Sequence, residues 1–143
     1  MNTLKIGLVG CSKTKVGYAA PAREFYQGTL FKKASNYCQQ TYDKWFILSA
    51  KYGLLEPDRI IKPYDTTLNN MKSNDIDWWA ANTALDLEQY YGAVFYLHAG
   101  KKYQTVCKHI AKPRIGKPES KFIFPLKGLG IGHQLAWYKE RGF

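Results

Sequence analysis

The sequence has 143 residues, a formal net charge of +10, 45% hydrophobic residues and 15% aromatic residues. This length suits one domain over residues 1–143, and the composition excludes a disordered chain. No apolar run is long enough to span a membrane, and "LKIGLVG" is too short for a signal-peptide core, so a cytoplasmic protein with no membrane partner is expected.

A field of this sign attracts polyanions, which makes nucleotides and nucleic acid the expected partners. The lysines run along the whole chain, with a concentration at Lys101, Lys102, Lys108, Lys112, Arg114, Lys117 and Lys121 against one acid, Glu119. Cys11, Cys38 and Cys107 cannot all pair with one another, and no two of them sit at metal-ligand spacing. Free thiols, no metal and no cofactor are the expectation.

In chain order, the first apolar run is "LKIGLVG" (4–10). It is continuous, as suits a strand buried on both faces. The loop behind it, "GCSKTK", offers Ser12, Lys13 and Lys15 to a phosphate, though without the glycine spacing of a Walker loop. Residues 22–41 place Phe25, Leu30, Phe31, Ala34 and Tyr37 at helical spacing, with Gly28 as a soft spot. A second strand, "WFILSA" (45–50), runs straight into "SAKYG", where Ser49, Lys51 and Tyr52 supply a hydroxyl, an ammonium and a ring able to stack on a base. "PYDTTL" (63–68) follows, with Tyr64 and Asp65. Asp65 beside a ligand orients water or stabilises a cationic sugar; alternatively it caps a turn by accepting from the Thr67 N–H.

Residues 73–91 form the next helical pattern, with Ser73 as N-cap and Trp78, Ala81, Leu85 and Tyr90 recurring along it. Trp78 and Trp79 are adjacent and point to different faces, so one belongs to the core. The third strand, "AVFYLHAG" (93–100), ends on His98, which in its neutral form can donate to a carbonyl oxygen gaining charge. Gly100 and Tyr103 follow in "HAGKKY", and a short helix covers 102–111. The fourth strand, "KFIFPL" (121–126), leads through a turn with Gly128, Gly130 and Gly132 into a terminal helix, where Gln134 can reach a base edge.

Strands alternating with helices predict an α/β fold: a three-layer α/β/α sandwich on a four-stranded, mostly parallel sheet with right-handed crossovers. Four loops then leave the carboxyl edge of that sheet, where open parallel sheets bind ligands.

The segments "LVGCSKTK", "WFILSAKYGLLEPD", "PYDTTL" and "PLKGLGIGHQLAWY" together resemble an uncharacterised family of bacterial and phage proteins known as a domain of unknown function. More distantly, the strand order with "GCSKTK" and "HAGKKY" is similar to the uracil-DNA glycosylase superfamily. That superfamily places a water-activating motif after the first strand and a His-led DNA-binding motif after a later one. Here no carboxylate follows the first strand, and Ala99 and Gly100 replace the Pro and Ser that follow the His. The resemblance implies the fold and a base or nucleotide pocket. The functional expectation is a nucleotide- or nucleic-acid-binding protein acting at an N-glycosidic bond, with Asp65 and His98 catalytic. The alternative is a non-catalytic nucleotide sensor or DNA-binding module.

Overall fold

A computed structural model describes residues 3–110, 115–116 and 118–143. Lys112, Arg114 and Lys117 of the basic stretch lie outside them. The strands are β1 (Lys5–Gly10), β2 (Ala20–Pro21), β3 (Lys44–Ser49), β4 (Gly53–Leu55), β5 (Ile60–Ile61), β6 (Val94–His98) and β7 (Lys121–Ile123). The helices are α1 (Ala22–Phe25), α2 (Thr29–Thr41), α3 (Ser73–Asp86), α4 (Val106–Ile110) and α5 (Ile131–Glu140).

The main sheet has the order β4-β3-β1-β6-β7, and β2 pairs with β5 in a small separate ribbon. β3, β1, β6 and β7 are mutually parallel. The four expected strands are thus present, in a five-stranded sheet flanked by helices on both faces.

The continuous apolar runs serve two cores by alternation. Ile6 and Leu8 of β1, Phe46 and Leu48 of β3, and Phe95 and Leu97 of β6 face one cluster with Trp79, Ala80, Val106 and Ile110 of α3 and α4. Val9 and Ile47 face the other, with Phe31, Ala34 and Cys38 of α2 and Tyr138 of α5. A strand covered on both sides has no polar face, so its apolar residues run without interruption.

Five local features differ from the sequence expectations. The fifth strand, β4, is antiparallel to β3 and comes from a segment expected to be a loop. Ser49 Oγ accepts the N–H groups of Lys51 and Tyr52 at 3.3 and 3.1 Å, and Gly53 adopts φ +70°, so the chain reverses and Leu54 and Leu55 pair with Leu48 and Ile47. The helix expected over 22–41 is broken at its soft spot. Tyr26 bridges to Lys15 in extended backbone, Gln27 N–H donates to Thr14 O, and Gly28 lies so close to Ser12 that a Cβ there would meet Oγ at 2.4 Å.

Ser73 is not the cap of α3; Lys72 holds that position and no side chain caps it. The helix itself stops at Asp86, with a single 3-10 turn over Glu88–Tyr90. β7 stops at Ile123, two residues before Pro125, which has no N–H to extend a ladder.

At Gly7, Cys38 of α2 and Tyr42 behind that helix press close on the sheet. A Cβ there would lie 2.6 Å from Tyr42 Cδ2 and 2.8 Å from Cys38 Sγ. The Tyr42 ring is stacked on Tyr96 and has little room to yield. Gly7→Ala should therefore lower stability by about 1–3 kcal/mol in urea denaturation. Gly17→Ala, in open space, should change it far less.

Candidate functional site

β1 lies between β3 and β6, so the chain leaving β1 departs from a point where its neighbours' connections diverge. Ligands of open parallel sheets bind at such a switch point, outside the carboxyl ends. A crevice of about 190 Å³ opens there. It is lined by Gly10 at the end of β1 with Cys11 and Ser12 behind it, by His98 at the end of β6 with Ala99 and Gly100 behind it, and by Gln134 and Tyr138 of α5, Tyr103 and Leu126. The two loop exits approach closely: a Cβ on Gly10 would sit 3.1 Å from Ala99 Cβ.

No side chain of ordinary fixed charge lines the crevice. Its polar groups are held by hydrogen bonds. Ser12 Oγ accepts from Gly28 N–H at 3.1 Å and donates to Thr14 O at 3.2 Å. Tyr103 Oη and Cys11 Sγ are 3.0 Å apart, and Gln134 Nε2 donates to Leu129 O at 2.8 Å. Burial pushes the Tyr103 phenol above its usual range, so it stays protonated.

His98 is buried and doubly bound. Nε2 lies 2.8 Å from Tyr42 Oη, and Nδ1 lies 2.6 Å from Tyr138 Oη. Neutral imidazole has one donor and one acceptor nitrogen, so one phenol donates and the other accepts. Burial lowers the His98 pKa from 6.5 to about 4. Both nitrogens are engaged inside the protein, and neither is left to a ligand in this arrangement.

A second cluster adjoins the first. Tyr26 and Tyr64 share a hydroxyl contact of 2.5 Å, and Tyr64 Oη lies 3.0 Å from Ser49 Oγ. Burial raises the Tyr26 pKa to about 12 and pushes Tyr64 well above its usual range. Lys15 Nζ stands 4.8 Å from the Tyr64 ring centre; Lys51 Nζ is 5.8 Å from that ring and 5.3 Å from that of Tyr52. Arg59 covers Tyr52 at 5.0 Å. Three cations thus gather over two phenol rings, each close enough for cation–π attraction.

Most of the expected site residues divide between these two places. Ser12, His98, Tyr103 and Gln134 meet in the crevice. Lys15, Ser49, Lys51, Tyr52 and Tyr64 make up the tyrosine cluster with Tyr26. Lys13 is exposed beside Ser12 and gives its carbonyl to Lys15 Nζ at 3.3 Å. Gly130 is the N-cap of α5 and Gly132 lies in its first turn, both facing open space. Asp65 is exposed and has no hydrogen bond or ion pair among the described residues. The local turn is capped by Thr67, whose Oγ1 accepts from Asn69 N–H at 3.3 Å, so the alternative role of Asp65 as a cap is not what the structure contains.

Cys11, Tyr26 and Tyr138 were not among the expected site residues. Tyr138 follows Gln134 by four positions on one helix, a spacing that puts both on one face and could have identified it. Tyr26 carries no such signal, because its place depends on the break between α1 and α2. Among the described residues no group of three or more His, Cys, Asp or Glu gathers to hold a metal, and no helix is long and apolar enough to cross a membrane.

The chain belongs to the family described as a family of unknown function (DUF6884), whose model matches residues 6–140. That match runs from β1 to the end of α5 and includes every wall of the crevice. One relative, the uncharacterized protein YfjM of Bacillus subtilis (strain 168), is 30% identical over 145 residues, covering 92% of this chain and 90% of its own.

His98 makes stability depend on pH. Its folded pKa, about 4, lies below the 6.5 of an ordinary histidine, so the unfolded chain binds the extra proton first. This contribution is complete above pH 6.5 and is lost as pH falls towards about 4. The slope in that window should approach about 1.4 kcal/mol per pH unit. In denaturant titrations across the window, His98→Gln should remove that part of the slope.

Proposed function

We propose that this protein binds a nucleotide or nucleic acid, with one base in the crevice and phosphates on the lysines at its mouth. The crevice carries this reading. At about 190 Å³ it is smaller than the ~300–1,000 Å³ of sites that engulf a drug-sized ligand, so it suits one ring with the remainder of the ligand outside. Its walls combine apolar and aromatic surface with Ser12, Tyr103 and Gln134 as orienting polar groups. Exposed Lys13, Lys101, Lys102 and Lys127 each adjoin a wall residue in the chain. Three free cysteines suit the reducing cytoplasm, where nucleotides are abundant.

Binding without chemistry, as a nucleotide sensor or DNA-binding module, fits this geometry better than catalysis. No carboxylate lines the crevice, and both nitrogens of His98 are occupied. A second reading, cleavage at an N-glycosidic bond in the manner of glycosylase-like proteins, has one observation in its favour. Asp65 follows Tyr64 directly and is exposed without a partner among the described residues, which leaves its carboxylate available to a substrate.

A thermal-shift panel of nucleotides should raise the melting temperature, and Gln134→Ala should weaken the binding behind that shift. No shift with any nucleotide, and no retention of nucleic acid at low salt, would remove the reading. Nucleic-acid affinity should fall steeply with salt, as counterion release requires.

Asp65→Asn separates the two readings. With no partner to lose, it should leave the melting temperature almost unchanged. Release of free base by the native protein, abolished by this substitution, would establish cleavage; no release by the native protein would leave binding alone.

A further inference from the structure

We infer that the ligand is a single strand of nucleic acid, and that Trp78 is the platform on which a base next to the crevice base stacks. This rests on the base-in-crevice reading and extends it along the carboxyl edge. Trp78 is 72% exposed, whereas its neighbour Trp79 is 6% exposed and donates Nε1–H to Ser49 O at 2.8 Å. α3 therefore buries one indole and presents the other to solvent, although burying a Trp is among the larger gains available to a helix.

Trp78 does not stand on a flat surface. It borders a hollow of about 200 Å³ whose other walls include Lys51, Tyr52, Trp79 and Asn82. Two links join that hollow to the rest of the site. Trp79 meets Tyr103, a wall of the crevice, edge to face at 5.8 Å, so an aromatic pair connects the two cavities. Lys51 borders the hollow and also stands over Tyr64 in the cationic cluster that includes Lys15.

The succession is then crevice, cations and exposed indole. A strand needs this pattern: a backbone followed by positive charge, with π-faces for successive bases. A free nucleotide has no second base and no use for Trp78. Asp86 also lines the hollow and disfavours a phosphate within it, so the indole takes a base, and Lys51, which also stands over Tyr64 beside Lys15, takes the phosphate between the two bases on that side. Asn82, one helical turn beyond Trp78, has its Nδ2 donating to Trp78 O at 2.8 Å, leaving its Oδ1 as an acceptor for a base edge.

The test compares a single-stranded oligonucleotide of about ten nucleotides with the matching mononucleotide, on the native protein, Trp78→Ala and Trp78→Phe. The native protein should bind the oligonucleotide more tightly. Trp78→Ala should weaken oligonucleotide binding roughly tenfold and leave mononucleotide binding and melting temperature unchanged, while Trp78→Phe keeps most of the affinity. Lys51→Ala should lower the salt dependence by about one phosphate contact.

Equal oligonucleotide affinity in Trp78→Ala, or a native protein that binds the mononucleotide just as tightly, would overturn the strand and leave the crevice reading intact. A change in oligomeric state in Trp78→Ala without loss of oligonucleotide binding would also overturn it and assign the indole to a protein contact. Oligonucleotide binding through Trp78 with no mononucleotide affinity would remove the crevice as base pocket and retain the strand. Binding of neither would overturn both.

Discussion

The central position of β1 is the constraint on which the rest depends. It is the first strand of the chain, yet it pairs with β3 on one side and with β6 on the other. The connections to its two partners must therefore lie on opposite faces of the sheet or part at its end. α2 covers one face and α3 with α4 the other, and the loops after β1 and β6 are left facing each other across an uncovered gap. Small residues keep that gap open at its base. Gly10 and Ala99 approach to a distance that a larger pair would exceed, and Gly28 gives Ser12 its place.

Several tyrosines reach into the interior, and two groups of them fix the site: Tyr42 with Tyr138, and Tyr26 with Tyr64. Tyr42 and Tyr138 hold His98 between them. Tyr26 and Tyr64 meet at Ser49, whose Oγ also gathers two backbone N–H groups of the turn into β4. A buried hydroxyl without a partner is costly, so each group fixes its members' positions. The first group ties β6 to both helices of one layer. The second fixes the loop carrying Lys51 and the segment carrying Tyr64, which is why the cations above those rings belong to a held surface.

The parts of this fold legible in the sequence were those with a simple period. The four parallel strands showed as continuous apolar runs because both faces are covered. α2, α3 and α5 showed as helical patterns, and Gly28 was visible as a weak point. β4 was hidden because it is three residues long and depends on a Ser49 contact and one positive φ. The crevice was half legible: Ser12, His98, Tyr103 and Gln134 stood out as polar residues at strand ends or in the loops and helix that follow. Their partners did not. Tyr42, 56 residues before His98, and Tyr26, 38 residues before Tyr64, are brought into place by tertiary packing, which leaves no mark in a local pattern.

The two edges of the sheet share a design. β4 and β7 are each three residues long, and each is followed two residues later by a proline, Pro57 and Pro125. An exposed edge is a template on which another chain can add a strand, and short length with a nearby proline blunts it. The three longer strands, with their nearly unbroken apolar sequences, are enclosed between these two short ones. Those runs are the segments most prone to amyloid-like pairing if exposed, and the native sheet presents neither edge as a lengthy surface for nucleating it. The margins that blunt this sheet against an added strand therefore amount to six residues and two prolines.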